Sequence, residues 1–319
     1  MNQLFPEIEP YSQGLLEVGE GNRMYWECCG NPSGKPALVL HGGPGSGCKA
    51  WHRRLFDPKT YRIVLLDQRN CGRSQPHASE PALDLRFNTT ERLLRDVENL
   101  RSFLRIERWL VLGGSWGSAL ALAYAQLHPE RVAEMILFGV TLARRKEFNW
   151  LFRGGISILF PQEWQSLQRW LPLQQQSNDI VDAYHALLNS ADPTICERAA
   201  LEWCLWESAT PEWPPIEGLA QRFKDPSYRL AFSRIVTHYV RNNAWLEDGI
   251  LLQNASRLAE IPGVLICGRF DFQAPLANAW ELNQVWKNSE LVVVNNAGHA
   301  ADGPVANEIM RFAERFAKR

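Results

Sequence analysis

The segment that most constrains the fold is Gly113-Gly-Ser-Trp-Gly117, which matches the pattern G-x-S-x-G. In this pattern a serine stands at a sharp turn between a strand and a helix, and its hydroxyl is exposed at the end of a sheet. The flanking residues fit this geometry, because 108–112 form an apolar run and 118–126 are small and apolar. Ordinary glycine-rich loops also contain this pattern by chance, so the rest of the chain must decide whether Ser115 is a nucleophile.

A second glycine-rich turn, His-Gly-Gly-Pro-Gly-Ser-Gly at 41–47, follows a short apolar run that predicts a buried strand. A loop of this kind after an early strand can supply a backbone N–H to an oxyanion. We therefore assign the two oxyanion donors to the backbone amides of Gly43 and Trp116. His41 is expected to brace the loop, and Asp67, at the end of the next predicted strand, is expected to hold its shape rather than to act in catalysis.

An acid and a histidine each follow a predicted strand near the end of the chain. Asp271 and His299 both lie downstream of Ser115, which gives the order Ser, Asp, His of the α/β-hydrolase fold. A serine hydroxyl needs a base within hydrogen-bond reach, and that base needs a group that orients it. We predict that Ser115 is the nucleophile, His299 the base and Asp271 the orienting acid. Asp302 is the rival acid, disfavoured because it does not end a strand.

Strand and helix patterns alternate through most of the chain, which predicts a mostly parallel sheet with flanking helices. A hairpin within 14–29 is expected to add two antiparallel edge strands. From about residue 141 to 257 the chain instead indicates short helices, divided by prolines at 161, 172, 193, 211, 214, 215 and 226. We predict an α/β core domain of 1–142 and 258–319, with a helical cap of 143–257 inserted over the carboxyl ends of the strands, where such sheets bind ligands.

Composition restricts the partners. The 34 basic and 35 acidic residues give a net charge of -1 with no long run of either sign, so no nucleic-acid partner is expected. No apolar run approaches the roughly 18 residues of a membrane span, and the N-terminus lacks the pattern of a signal peptide. The seven cysteines include no C-x-x-C pair. We expect a cytoplasmic protein that acts on a small molecule without a metal or other cofactor; its oligomeric state stays open.

Longer segments resemble a known family. They are HGGPGSG at 41–47, FDPKTYRIVLLDQRNCGRSQPHAS at 56–79, GGSWGSALALAYAQLHPERV at 113–132, ARRKEFNW at 143–150, and GRFD with AGH downstream. Together they resemble the proline iminopeptidases, which are serine peptidases of the α/β-hydrolase fold, and the resemblance covers nearly the whole chain. It implies an enzyme that removes an N-terminal proline from peptides without a metal, and it carries the catalytic triad onto Ser115, Asp271 and His299.

The resemblance also implies a substrate pocket. The segment 203–207 resembles the cap motif whose glutamate receives the free amino group of the substrate, so Glu207 takes that role. Phe152 is a further candidate for substrate binding. Three other pocket positions depart from the family: Val236 replaces a second glutamate, Thr141 a phenylalanine and Ala274 a cysteine.

These departures fall on the substrate pocket, while the catalytic residues are unchanged. An esterase or amidase of the same fold, with altered specificity, is therefore the alternative to an aminopeptidase. In either case the expected partner is a small peptide or amino-acyl compound. A hydrolase fold that only binds its ligand is disfavoured by the intact triad.

Overall fold

The computed structural model describes residues 4–81, 83–171, 179–211 and 216–318. Within these ranges eight strands form one sheet in the order β1-β2-β4-β3-β5-β6-β7-β8. The strands are β1 (Ser12–Gly19), β2 (Asn22–Gly30), β3 (Lys35–Leu40), β4 (Tyr61–Leu66), β5 (Trp109–Gly114), β6 (Val132–Phe138), β7 (Gly263–Gly268) and β8 (Ser289–Val294). Strands β3 to β8 are parallel, and β2 is antiparallel to both of its neighbours, which confirms the mostly parallel sheet.

Ten α-helices accompany the sheet in the described part of the chain. They are α1 (Thr90–Phe103), α2 (Trp116–Leu127), α3 (Arg145–Phe152), α4 (Pro161–Arg169), α5 (Ile180–Leu188), α6 (Pro193–Ala209), α7 (Pro226–Arg241), α8 (Ile250–Gln253), α9 (Leu276–Val285) and α10 (Gly303–Ala317). Short 3-10 turns are formed by Ala50–Leu55, Pro129–Arg131, Ile156–Ile158, Gln221–Phe223, Asn243–Trp245 and Asn254–Leu258. Among these helices none has both the length and the apolar character needed to cross a membrane.

The hairpin at the start of the chain differs in one respect from its prediction. β1 is an edge strand, but β2 lies between β1 and β4, so the prediction that both strands are edges is wrong. Four consecutive residues of β2, 26–29, are buried rather than alternating with exposed ones. A run buried on both faces is typical of an interior strand, and this is the signal that separates β2 from β1.

Three apolar clusters organise the molecule. One lies on the face of the sheet covered by α1 and α2, and a second lies on the face covered by α10. The third lies entirely within the helical segment between β6 and β7 and runs from Phe152 to Val240. Residues beyond it, among them Ala244 and Leu258, pack instead into the α2 cluster. The core of the helical segment therefore ends before the predicted cap boundary at 257, and the division at 142 and 258 stays a prediction.

Prolines begin several helices of this segment, as their spacing predicts. Pro161, Pro193 and Pro226 stand in the first turns of α4, α6 and α7, where a missing backbone N–H is tolerated. Asp192 and Asp225 cap α6 and α7 by accepting a backbone N–H. Pro172, Pro214 and Pro215 lie outside the described residues.

Candidate active site

Ser115 occupies the sharp turn between β5 and α2. Its φ of 54° and ψ of -128° belong to a region that residues with side chains rarely adopt. Tight packing surrounds the turn, because a Cβ on Gly117 would lie 2.1 Å from the Leu40 carbonyl oxygen and one on Gly113 2.3 Å from the Gly117 carbonyl oxygen. The Ser115 amide donates to the carbonyl of Phe138 at 3.0 Å, which ties the turn to β6. The turn is thus fixed at the carboxyl end of the central strands.

Asp271 and His299 meet at the ends of the two neighbouring strands β7 and β8. The His299 Nδ1 lies 2.8 Å and 3.0 Å from the two carboxylate oxygens of Asp271. Burial by itself would lower the pKa of His299, but the charge and hydrogen bond of Asp271 outweigh burial and raise it. Asp302 instead precedes α10. Asp271 is therefore placed where it can orient this imidazole and stabilise its protonated form.

Ser115 and His299 line the same pocket as Gly43 and Trp116. No hydrogen bond joins the Ser115 hydroxyl to the His299 ring among the described residues, and such bonds are often long in the absence of substrate. The backbone amides of Gly43 and Trp116 donate to no acceptor in the part of the chain that the structure covers. Both amides are therefore available to a negatively charged oxygen in this pocket.

The loop that carries Gly43 is held from below by two buried side chains. The Asp67 carboxylate accepts the Cys48 amide at 2.7 Å and the Arg73 amide at 2.9 Å. Burial acts to raise the pKa of Asp67, but the hydrogen bonds and charge of Arg73 outweigh it and lower the pKa. The His41 Nε2 accepts a hydrogen bond, at 3.0 Å, from the backbone amide of Gln68, the residue after Asp67. The bracing roles predicted for Asp67 and His41 are confirmed.

The pocket has a volume of about 70 Å³. It is lined by four of the five candidate substrate-binding residues, Thr141, Phe152, Glu207 and Ala274. Val236 is different: it is fully buried in the apolar cluster of the helical segment. The residues of α7 that line the pocket are Tyr239 and Val240, three and four positions later. They share a helix face with Val236 but lie one turn closer to the pocket. Val236 therefore does not line the pocket, contrary to its predicted place in the substrate site.

Thr141 is turned toward a carboxylate that sequence reasoning missed. Its hydroxyl donates to Glu147 Oε2 at 2.6 Å, and the Leu142 amide donates to the same oxygen at 2.8 Å. Arg144 forms an ion pair with the other oxygen of Glu147. Glu147 lies within the segment 143–150 that resembles the family, and this resemblance is the sequence signal that could have identified it. Because its carboxylate is fully engaged, Glu147 shapes the pocket wall.

Glu207 is a buried carboxyl group in the same pocket as Ser115 and His299. Burial raises its pKa to about 7, although the charges of Arg222 and His299 and the Trp203 and Gln273 side chains act to lower it. Ionised Glu207 is thus poorly compensated within the protein. A cationic group of a ligand at this position would remove that deficit.

Comparisons with known proteins agree with the fold. Residues 35–301 match the family described as alpha/beta hydrolase fold. A protein named "Probable proline iminopeptidase" from Streptomyces coelicolor is 47% identical over 99% of this chain and 98% of its own length. The proline iminopeptidase of Xylella fastidiosa strain 9a5c is 46% identical over 95% of this chain and 96% of its own.

Solved structures extend the likeness of fold to more distant proteins. The structure of VinJ has a TM-score of 0.64 at 17% identity and covers 97% of this chain and 99% of its own. A meta-cleavage product hydrolase from Pseudomonas fluorescens IP01 has a TM-score of 0.60 at 18% identity, with 97% and 98% covered. At such identities the likeness concerns the fold alone.

Proposed function

The chain belongs to the proline iminopeptidases of the α/β-hydrolase fold, and from that premise we propose that it releases an N-terminal proline, or another small residue, from peptides through an acyl-serine intermediate. The family makes the protein a hydrolase of the aminopeptidase class. The assignment of single residues to steps, and of the substrate to the pocket, is our proposal and follows from the geometry of the site.

Ser115 attacks the carbonyl carbon of the first residue while His299 accepts the hydroxyl proton. Asp271 stabilises the imidazolium that forms. The carbonyl oxygen becomes an oxyanion, which receives hydrogen bonds from the amides of Gly43 and Trp116; one such donor is typically worth about 10²- to 10³-fold in rate. His299 then protonates the leaving amine, and water activated by the same imidazole releases the first residue from Ser115.

The observation that carries the substrate assignment is the buried carboxyl group of Glu207 beside the nucleophile and base. A charged group in such a place gains most from an oppositely charged partner. The N-terminal ammonium of a peptide is a partner of this kind, and it lies within one residue of the bond to be cut. A peptide with a blocked N-terminus would leave Glu207 unpaired, which disfavours its binding.

The proposal is tested with L-proline and L-alanine naphthylamides beside their N-acetylated forms, together with short-chain aryl esters. We expect turnover of the free amines and turnover at least 100-fold slower for the acetylated forms, because a buried site that hydrogen-bonds a substrate group strongly rejects an analogue without it. Equal turnover of free and acetylated amides would contradict amine recognition by Glu207. Rapid ester hydrolysis without amide hydrolysis would instead favour the esterase alternative.

The nucleophile is tested separately by fluorophosphonate labelling. We expect one equivalent of label, attached to Ser115, and none in the Ser115→Ala variant. Label at another residue, or an active Ser115→Ala variant, would refute the assignment.

A further inference from the structure

Gln273 connects the two halves of the site. It lies two residues after Asp271, and its side chain lines the pocket together with Ser115, His299 and Glu207. Its Nε2 donates to the hydroxyl of Thr210 at 2.8 Å. Thr210 is fully buried at the end of α6, three residues after Glu207. Gln273 therefore links the loop of the orienting acid to the helix that bears the buried carboxyl group.

Two further hydrogen bonds fix this junction. The His299 amide donates to the Pro211 carbonyl at 3.2 Å. On the other side, the Trp150 indole donates to the carbonyl of Phe272, the neighbour of Gln273, at 2.7 Å. The neighbour of Gln273 is thus held to α3, and the segment of His299 is held to the residues that follow α6. The Gln273 side chain is held by Thr210 and lines the pocket that Ser115 and Glu207 also line.

The hydrogen bond to Thr210 decides which end of the Gln273 amide is available. Nε2 is engaged, while no N–H or O–H group in the described ranges donates to Oε1. A carboxamide oxygen is a neutral acceptor with two lone pairs. The Glu207 carboxylate lies on the same side of the pocket, and although the Trp203 and Gln273 side chains interact with it, burial keeps its pKa raised, so a cation is still favoured there. Glu147 is held by Thr141, Leu142 and Arg144.

An N-terminal proline is a secondary amine, so its ammonium form carries two N–H donors. We propose that Gln273 is a specificity-determining residue whose Oε1 accepts one of these two hydrogen bonds, while Glu207 accepts the other. This inference rests on the proposed function, because it concerns how the same pocket recognises the substrate amine. In this arrangement both donors of the substrate are satisfied, and Thr210 holds the amide in the orientation that presents its oxygen.

The test compares the wild-type chain with Gln273→Leu, Gln273→Glu, Thr210→Val and Thr210→Ser. Ligand binding is measured as protection of Ser115 from a fluorophosphonate, with L-prolinamide and N-acetyl-L-prolinamide as the two ligands. Loss of a hydrogen bond to a charged group typically weakens binding by about tenfold or more. We expect Gln273→Leu to weaken protection by L-prolinamide to that extent and to weaken protection by the acetylated ligand much less, with each value expressed relative to the variant's own labelling rate without ligand.

The other variants separate recognition from a structural effect. Gln273→Glu adds a second negative charge and should strengthen protection by L-prolinamide relative to the acetylated ligand. Thr210→Val should weaken it less than Gln273→Leu does, and Thr210→Ser, which keeps the hydroxyl, should restore it. The inference is wrong if L-prolinamide protects Ser115 in Gln273→Leu as well as in the wild type, or if the substitution weakens protection by both ligands equally.

The same experiment separates this inference from the proposed function. Protection by L-prolinamide that depends on Gln273, in an enzyme that does not hydrolyse prolyl naphthylamides, would refute the function and support the amine site. Hydrolysis of prolyl naphthylamides with no dependence on Gln273 would do the opposite. Equal protection of the wild type by both ligands would overturn the roles of both Glu207 and Gln273.

Discussion

Replacing Glu207 by glutamine is expected to stabilise the fold while it damages substrate recognition. Burial raises the pKa of Glu207 from its ordinary value of 4.5 to about 7. At about 1.4 kcal/mol for each pH unit, this shift corresponds to about 3 kcal/mol by which the ionised carboxylate destabilises the folded chain. Glutamine has nearly the same shape and carries no charge. The variant should therefore unfold at a higher denaturant concentration than the wild type at pH 8.

The stability gained by Glu207→Gln should depend on pH. Between pH 4.5 and pH 7 the folded chain binds more protons at Glu207 than the unfolded chain does. Wild-type stability at this site therefore falls as pH rises through that window, and the loss is complete above pH 7. Because glutamine does not titrate, the advantage of Glu207→Gln should grow from near zero at pH 4.5 to about 3 kcal/mol at pH 8. Urea unfolding at several pH values measures it.

Glu202 provides a matched control on the same helix. It is also buried, but it forms an ion pair with Arg198. Glu202→Gln removes the same charge from a partnered carboxylate and should not stabilise the chain at pH 8. If Glu207→Gln gives no gain at pH 8, if its effect is independent of pH, or if Glu202→Gln gives the same gain, the reasoning from burial is wrong.

The cost of the same substitution should appear in kinetics. We expect kcat/KM for free-amine prolyl naphthylamide to fall by about 10- to 100-fold, the range for loss of a charge-assisted hydrogen bond. Fluorophosphonate labelling of Ser115 should change less than kcat/KM does, because Glu207 affects the base only through its charge, which acts to raise the pKa of His299. A variant that keeps wild-type kcat/KM would show that Glu207 has no part in amine recognition.

Three further predictions concern the catalytic geometry and the attachment of the helical segment. Because Asp271 raises the pKa of His299, wild-type kcat/KM should fall as pH decreases through that pKa. Asp271→Asn should lower kcat by about 10³- to 10⁴-fold and move the acid limb of the pH–rate profile to lower pH. An acid limb at the wild-type pH would contradict this. Gly139 has φ +51°, and a Cβ there would lie 2.8 Å from His299 Cε1. Gly139→Ala should therefore displace His299 and slow Ser115 labelling at least tenfold, since a displacement of about 1 Å can cost that much or more. The control Gly218→Ala, at a glycine with φ +74° and nothing within 4 Å of a Cβ, should leave the labelling rate unchanged. Arg234 is buried and donates to the carbonyls of Ala78, Glu80 and Leu83. Because these acceptors would lose their donor, Arg234→Ala should lower the free energy of unfolding by about 2 to 4 kcal/mol in urea titrations. A loss below about 0.5 kcal/mol would show that Arg234 does not attach the helical segment to the core.

Local sequence patterns were sufficient for much of the site. The apolar runs before Ser115, Asp271 and His299 place all three residues at the carboxyl ends of strands, because neighbouring parallel strands end at one edge of a sheet. Tight glycines around Ser115 are readable from the motif alone, and the structure gives them a steric reason. The assignment of Asp67 and His41 to bracing roles also followed from their place beside a glycine loop.

Other features depended on packing that no local pattern encodes. Val236 and Tyr239 share a face of α7, but only the position and tilt of the helix decide that Tyr239 reaches the pocket while Val236 stays in an apolar cluster. The role of Gln273 depends on a hydrogen bond to Thr210, which is 63 residues away along the chain. Such contacts between distant segments leave no periodicity and no fixed spacing in the sequence.

The sequence by itself determined the mostly parallel sheet, the turn at Ser115 and the family, because these depend on short-range steric patterns and on motifs of contiguous residues. Tertiary structure alone decided the electrostatics of the pocket. Glu207 is an ordinary carboxyl group in the sequence, and its pKa of about 7 arises because packing of the helical segment on the sheet removes it from water. In our proposal, the motif at 113–117 determines how a carbonyl is attacked, and the folded environment of Glu207 and Gln273 determines which amine is held beside it.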